Sequence, residues 1–364
     1  MSRLASRLHV LPRALARGLA KRARSEQPER ILVAHHLLLG DTLMLAALLA
    51  RLRARYPQAA LEMTVDPAYM PLFSGRPYGV TALPYDPHRA DLARAITRRG
   101  PYDLALVPGD NRHALLARAA GARWVVAFAG DTPAWKNRAV DELIEWPRTP
   151  TNLTDLFALL AGAGDEAYVR GAWPTPAGNT PELPYAPYAV LHVGAGSPLR
   201  HWPAARWLAL AGTLASAGLA VAWSAGPGEA ALVETIDPAR RFKSYAGRLD
   251  LAQLWRLIEG AKLLVAPDTG VAHMAKLIGT PTVCLFGPGS DVLFGTGHFW
   301  RQQPFAAVIE ADFSCRDQRT VFKRELDWVR RCQRGVDRCA APACMHALDQ
   351  AQVEQACLRL LGRD

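Results

Sequence analysis

The chain has 364 residues, half of them hydrophobic and 21% charged, a composition that excludes a disordered protein and suits two domains of roughly 150 residues each. No run of about 18 uncharged apolar residues occurs, which argues against a membrane span. The formal charge is +10, but no aromatic-plus-basic motif or recognition-helix pattern accompanies it, so no nucleic-acid partner is expected.

Residues 1–29 form a basic, amphipathic N-terminal extension. The first 30 residues carry Arg3, Arg7, Arg13, Arg17, Lys21, Arg22, Arg24 and Arg30 against only Glu26 and Glu29, a net charge of +6. Leu4, Leu8, Leu11, Leu15 and Leu19 recur every three or four residues and mark an apolar stripe on a helix. Such a helix suits the surface of an anionic inner membrane, and a solvated extension fits the same pattern. Arginines interrupt the apolar stretches, unlike a secretory signal.

Strands and helices then alternate. Ile31 to Ala34 reads as a strand leading into the turn Leu37 to Asp41, followed by a helix from Thr42 to Arg55. Leu61 to Val65, Leu104 to Pro108 and Trp124 to Phe128 read as further strands. Helices are expected around Tyr69 to Phe73, Arg112 to Ala120 and Leu153 to Ala161. These elements compose a first α/β domain over 30–170.

Residues 171–187 hold Pro174, Pro176, Pro181, Pro184 and Pro187, a density that no helix or central strand tolerates, and they read as a linker. A second α/β domain follows over 188–346. Its strands are Ala189 to Val193, Ala220 to Ser224, Leu263 to Ala266 and Thr282 to Phe286. Its helices are Ala204 to Ala217, a short one ending at Ile236, Leu251 to Glu259 and Val271 to Ile278. Residues 313–345 are irregular and rich in Cys and Arg, and 347–364 carry a terminal helix over Leu348 to Leu361. Two such halves leave a cleft, with ligands expected at the strand carboxyl ends.

Two loops of the second domain have the chemistry of a phosphate clamp. After one strand, Gly194 and Gly196 permit close backbone approach, Ser197 supplies a hydroxyl and Arg200 a guanidinium fork. After another, Asp268, Thr269 and Gly270 open a helix whose first turn carries His273, where free N–H groups favour anions. Asp268 also suits a plain N-cap. Glu229 follows Gly226 and Gly228 and fits either a ribose-hydroxyl acceptor or a solvated first-turn residue.

Over residues 30 to 360 the chain resembles glycosyltransferase family 9, the ADP-heptose:lipopolysaccharide heptosyltransferases. The resemblance rests on Leu39-Gly40-Asp41-Thr42 with Arg51 to Pro57, on Gly194 to Pro203, and on Pro267 to His273 with Pro281 and Phe286 to Pro288. It implies a GT-B architecture, two Rossmann-like parallel-sheet domains facing across a cleft. The C-terminal domain would hold a nucleotide sugar, here an ADP-sugar used as substrate, and the N-terminal domain a lipid-linked saccharide such as lipopolysaccharide core. The family inverts the anomeric centre without a cofactor or metal. It also implies that Asp41 is the catalytic base, although an isolated Asp there would be taken for an N-cap. Arg200 stands where family members commonly carry Lys.

Acceptor contacts are expected from Arg112, His113, Lys136 and Arg138, because phosphorylated or acidic core sugars favour cationic loops; a solvated basic face accounts for them equally. The cysteines are Cys284, Cys315, Cys332, Cys339, Cys344 and Cys357. The middle four lack a Cys-x₂-Cys pair and are expected as reduced thiols rather than a zinc site. The expectation is a cytoplasmic, peripherally membrane-associated glycosyltransferase. A different sugar-nucleotide enzyme such as an epimerase, or an inactive scaffold of the same fold, stand as alternatives.

Overall fold

The computed structural model describes residues 3–18, 23–185 and 187–362; Leu19, Lys21 and Arg22 of the expected stripe and charge cluster lie outside them. The chain divides into two compact units, each built on its own parallel sheet.

In the first unit, helix α1 (Arg3–Gly18) precedes β1 (Arg30–Val33), α2 (Leu39–Met44), α3 (Ala46–Arg55) and β2 (Ala60–Val65). After a 3₁₀ segment over Pro67–Phe73 come β3 (Thr81–Pro84), α4 (Ala90–Arg99), β4 (Tyr102–Val107), α5 (His113–Ala119), β5 (Ala122–Phe128), β6 (Glu142–Ile144) and α6 (Leu153–Ala158). The six strands run parallel in the order β3-β2-β1-β4-β5-β6, with Ile31 paired to both Leu61 and Leu104. Strand order therefore reverses between β1 and β4, the place where an open α/β sheet leaves a crevice at its carboxyl edge. Ile31, Leu32 and Val33 are fully buried, as expected of a central parallel strand covered on both faces.

The second unit repeats the plan. Its elements are β7 (Tyr188–His192), α7 (Ala204–Ser216), β8 (Ala220–Ser224), α8 (Ala230–Ile236), β9 (Lys243–Ser244), α9 (Leu251–Glu259), β10 (Leu263–Pro267), α10 (Gly270–Ile278), β11 (Thr282–Phe286), α11 (Asp291–Phe294) and β12 (Phe305–Ile309). The sheet order is β12-β11-β10-β7-β8-β9, again all parallel, with the reversal between β7 and β10. A capping box of Asp250 and Gln253 starts α9. Trp223 is fully buried and donates through Nε1 to Asp237, which closes α8 against the sheet.

Several expectations need adjustment. The helix expected from Thr42 to Arg55 begins at Leu39 and is interrupted at Leu45, so Asp41 lies inside the first turn of α2 rather than capping a helix. Strands β3, β6, β9 and β12 escaped the hydrophobic pattern; β6 and β9 are only three and two residues long, and all four close the flanks of their sheets. The proline-rich stretch is not a bare connector. Trp173 is buried in the first unit, donates to the Leu72 carbonyl at 2.9 Å and packs edge-on against Phe73.

The Cys/Arg-rich segment 313–345 is divided between the units. Most of it belongs to the second, with α12 (Ala343–His346) leading into α13 (Gln350–Leu360). Residues Thr320–Asp327, expected with the second domain, pack with the first as a hairpin of β13 (Thr320–Val321) and β14 (Arg324–Glu325). Its two-residue loop, Phe322 and Lys323, has φ of 46° and 67° without glycine. That primed-turn geometry is strained for ordinary side chains. It is retained because Phe322 packs on Phe157 and Arg324 is buried in a dense set of hydrogen bonds.

Candidate functional site

In the second unit, the loops leaving β7 and β10 meet at the strand-order reversal. After β7, Ser197 accepts a hydrogen bond from the Leu199 N–H and starts a 3₁₀ turn that ends on Arg200. Arg200 reaches across and donates to the backbone carbonyl of Asp268 at 2.6 Å. This fixes the β7 loop to the β10 loop while using one of the five guanidinium donors. Gly194 is buried, and a Cβ there would lie 2.0 Å from the Glu229 carboxylate. Both Glu229 oxygens are engaged, by the N–H of Ala195 at 3.0 Å and of Gly226 at 2.7 Å. Glu229 thus ties the first glycine loop to the second, a role that its first-turn position did not suggest.

The turn after β10 is arranged differently from a simple cap. Thr269, not Asp268, is the N-cap of α10, and its side chain makes no capping bond. The Thr269 Oγ1 and His273 Nδ1 atoms are both buried without a hydrogen-bond partner. Burial of an unpaired polar atom costs about 1–3 kcal/mol, and two such atoms stand together at the N-terminal end of α10. Burial holds His273 well below its usual range, with Lys276 and Arg200 adding to the effect; the ring is a neutral donor or acceptor. Burial pushes the Asp268 carboxyl up, against the charges of Arg200, Lys276 and Arg331.

Residues beyond the sequence-based set complete this site. Lys276, one turn behind His273, is buried and donates to the carbonyls of Phe294 and Gly295 at 2.7 and 2.6 Å. Burial lowers its pKa to about 8. Asp268 packs against Gly289, where a Cβ would stand 2.3 Å from Oδ2. Arg316 donates to the Gly287 carbonyl at 3.0 and 2.6 Å, Cys332 N–H to that of Pro288, and Met345 covers Gly287. The Cys/Arg-rich segment therefore buttresses the loop after β11, which in turn supports Asp268. Among the described residues no group of three metal-ligating side chains forms, and all six cysteines are free thiols.

In the first unit, the loops after β1 and β4 meet at the corresponding reversal. Asp41 is half-buried in the first turn of α2. The Tyr69 hydroxyl is pushed up by burial and by the charges of Asp66 and Asp41, which places these three groups in one neighbourhood. His36 Nε2 approaches Asp66 at 3.3 Å without hydrogen-bond alignment. His36 also lines a cavity of about 590 Å³ at the same sheet edge, together with Tyr85, Asp110, Arg112, His113 and Trp135. Helix α1 supplies the cavity's opposite wall through Ser6, Arg7, Val10 and Leu11.

The four cationic acceptor candidates fare differently. Arg112 and His113 line this cavity. Arg112 is paired with Asp110 at 2.7 Å. Burial lowers His113 to about 4. Lys136 is buried and paired with Asp110 at 3.1 Å and Asp131 at 2.9 Å, a position that orients other groups rather than offering a free cation. Arg138 is exposed and outside the cavity wall. Burial opposes ionisation of Asp110, yet hydrogen bonds from Arg112 and Lys136 hold its carboxyl well below the usual range. His36, Tyr85, Asp110 and Trp135 had no signal in the sequence, since nothing in their spacing distinguishes them from loop or core residues.

Comparison with known proteins agrees with this architecture. The sequence model described as glycosyltransferase family 9 (heptosyltransferase) matches residues 89–323. Lipopolysaccharide heptosyltransferase 1 of Salmonella typhimurium is 32% identical over 138 residues, which is 37% of this chain and 43% of that protein. The matched stretch thus spans less than half the length of that relative. The structure of E. coli ADP-heptose lps heptosyltransferase II superposes with a TM-score of 0.70 at 20% identity, covering 92% of this chain and 99% of that one. E. coli heptosyltransferase WaaC with ADP gives 0.60 at 16% identity, covering 76% and 92%. These structural likenesses establish the fold, an α/β GT-B architecture with two Rossmann-like sheets. With the family match extending over well more than half of the chain, this protein belongs to glycosyltransferase family 9.

Proposed function

We propose that this chain is an inverting, metal-independent glycosyltransferase that moves heptose, or a related sugar, from an ADP-sugar to lipopolysaccharide core or another lipid-linked saccharide. The observation that carries the reading is the unpaired, buried Thr269 hydroxyl and His273 ring nitrogen at the α10 N-terminus, beside Arg200. Backbone N–H groups, a guanidinium and two unpaired polar atoms suit a diphosphate.

In this mechanism Asp41 accepts the proton of the acceptor hydroxyl as its oxygen forms a bond to the anomeric carbon. The bond from that carbon to the diphosphate oxygen breaks on the opposite face, and ADP leaves with the bonding electrons. Arg200 and the N-terminus of α10 meet the charge that develops on the leaving group, a task that asks for preorganised positive potential rather than a specific metal. Gly194, Gly196 and Ser197 border the nucleotide, and Glu229 holds their loop in place through its two backbone contacts.

Helix α1 supports a peripheral location on the cytoplasmic face of the inner membrane. No helix among the described residues is long and apolar enough to cross a bilayer, whereas Leu4, Leu8 and Leu15 are 61%, 67% and 70% exposed on one basic helix.

Calorimetric titration with ADP, ADP-heptose, UDP and GDP, without divalent metal, tests the donor. Selective binding of ADP and ADP-heptose is expected. A preference for UDP or GDP would move the enzyme to another donor, and failure to bind any would favour the scaffold alternative.

A further inference from the structure

Strand β10 stands between β7 and β11 in the second sheet. The Asp268-Thr269-Gly270 turn that leaves it therefore has the β7 loop on one side and the β11 loop on the other. Arg200 brings a guanidinium from the β7 side, where it donates to the Asp268 carbonyl. The β11 loop, Gly287 to Gly289, carries no cation of its own.

The Cys/Arg-rich segment supplies one there, through the parts of it that belong to the second unit. Arg316 is buried and engaged with the carbonyls of Phe286 and Gly287, at 3.3 and 2.6 Å, so it closes the end of β11. Gln318 and Arg331 exchange backbone hydrogen bonds at 3.0 and 3.2 Å, which pairs the two arms of the segment. The next residue, Cys332, donates its N–H to the Pro288 carbonyl at 2.8 Å. Gly289 follows, packed so closely that a Cβ on it would stand 2.3 Å from Asp268 Oδ2. The Arg331 backbone is thus fixed beside the loop that covers Asp268. Its side chain is half-buried, and the Gln333 amide oxygen accepts from its guanidinium, which orients the fork without neutralising it. Burial raises the Asp268 carboxyl, and the charges of Arg200, Lys276 and Arg331 oppose that rise, so the Arg331 charge reaches the turn.

Three cations around one carboxyl leave a surplus of positive charge. Lys276 is held on the carbonyls of Phe294 and Gly295. That leaves the two arginines, one on each side of the turn, as the groups that suit an anion. We propose that Arg331 is a second cationic contact for the donor diphosphate, placed on the β11 side of the turn as Arg200 is on the β7 side. Two guanidinium forks around a helix N-terminus meet a leaving diphosphate with preorganised charge. The segment 313–345 is then part of the donor site as well as its support. This rests on the donor reading above and holds whichever base the nucleotide carries.

The test is calorimetry on the full chain, without divalent metal, with ADP, UDP and inorganic pyrophosphate. The parent is compared with Arg331→Gln, Arg331→Lys and Arg330→Gln, the last removing an exposed charge one residue away. Arg331→Gln should weaken ADP and pyrophosphate alike by about tenfold or more. Arg331→Lys should recover part of the loss, and Arg330→Gln should match the parent. Parent-like pyrophosphate and ADP affinity in Arg331→Gln would overturn the proposal while leaving the donor reading intact. So would an equal loss in Arg330→Gln, or equal losses in Arg331→Gln and Arg331→Lys, which mark a general charge effect or a purely structural role. A parent that prefers UDP, with that affinity lost in Arg331→Gln, would correct the donor and still support the contact. A parent that binds neither nucleotide nor pyrophosphate would overturn both.

Discussion

Arg200 Nη1 and the backbone carbonyl of Asp268 lie 2.6 Å apart, which joins the loops that follow β7 and β10 at the reversal of the second sheet. The guanidinium therefore does two things: it holds the Asp268-Thr269-Gly270 turn and contributes charge where the diphosphate is proposed to sit. Arg200→Ala should weaken ADP binding by about tenfold to a hundredfold, the range for a lost charge-assisted contact of 1.4–3 kcal/mol. Arg200→Lys keeps the charge but not the fork, and an intermediate affinity is expected. Calorimetry on both variants checks this; equal affinity in the parent and Arg200→Ala would remove Arg200 from the donor site.

Asp41 should separate chemistry from donor binding. Replacing it with Ala or Asn is expected to lower turnover by about 10² or more, in line with loss of general base catalysis. ADP affinity should stay at the parent level, because the donor loops belong to the second unit. Steady-state kinetics combined with ADP titration reads both quantities. Near-normal turnover in Asp41→Asn would rule out its role as base.

Acid should destabilise the first unit through His113. Its folded pKa is about 4, lowered by burial from 6.5. Between those values the unfolded chain binds the extra proton and the folded chain does not. Stability is therefore full above about pH 6.5 and falls as pH drops toward 4, by up to about 1.4 kcal/mol per pH unit. His192, lowered to about 4 by burial, adds the same trend in the second unit. Thermal unfolding of His113→Gln should show a flatter dependence across this window, and an unaltered slope would contradict the assignment.

The first sheet was legible in the sequence to the same extent as the second, four strands of six in each. In the second, four strands and the helix Leu251–Glu259 follow directly from apolar runs bounded by Gly, Pro and a capping residue. Its donor loops were readable because glycine, proline and a helix start fall together in the sequence. The cavity in the first unit was not, since His36, Tyr85, Asp110 and Trp135 come from four separate loops and only sheet order brings them together. The split of segment 313–345 was equally hidden, because hairpin 320–327 has no hydrophobic period and is fixed by Phe322 on Phe157 and by a buried arginine.

That arginine gives the last prediction. Arg324 is 3% exposed and donates to the carbonyls of Ala129, Gly109 and Phe128 and to Asn111 Oδ1, with the Trp146 ring 5.5 Å from its charge. Asp131 lies 3.8 Å away, pairs with Lys136, and through it reaches Asp110 and Arg112 at the cavity. Removing Arg324 leaves three carbonyls and an amide oxygen short of donors and weakens the positive side of this chain of charges. Arg324→Ala should cost about 3–5 kcal/mol, the range for breaking a buried charged network. Arg324→Lys reaches fewer acceptors but retains charge, so a smaller loss is expected. If the hairpin only decorates the surface, denaturant unfolding of Arg324→Ala will match the parent. If it positions the cavity, Arg324→Lys, still folded, will show a raised acceptor KM with ADP affinity intact.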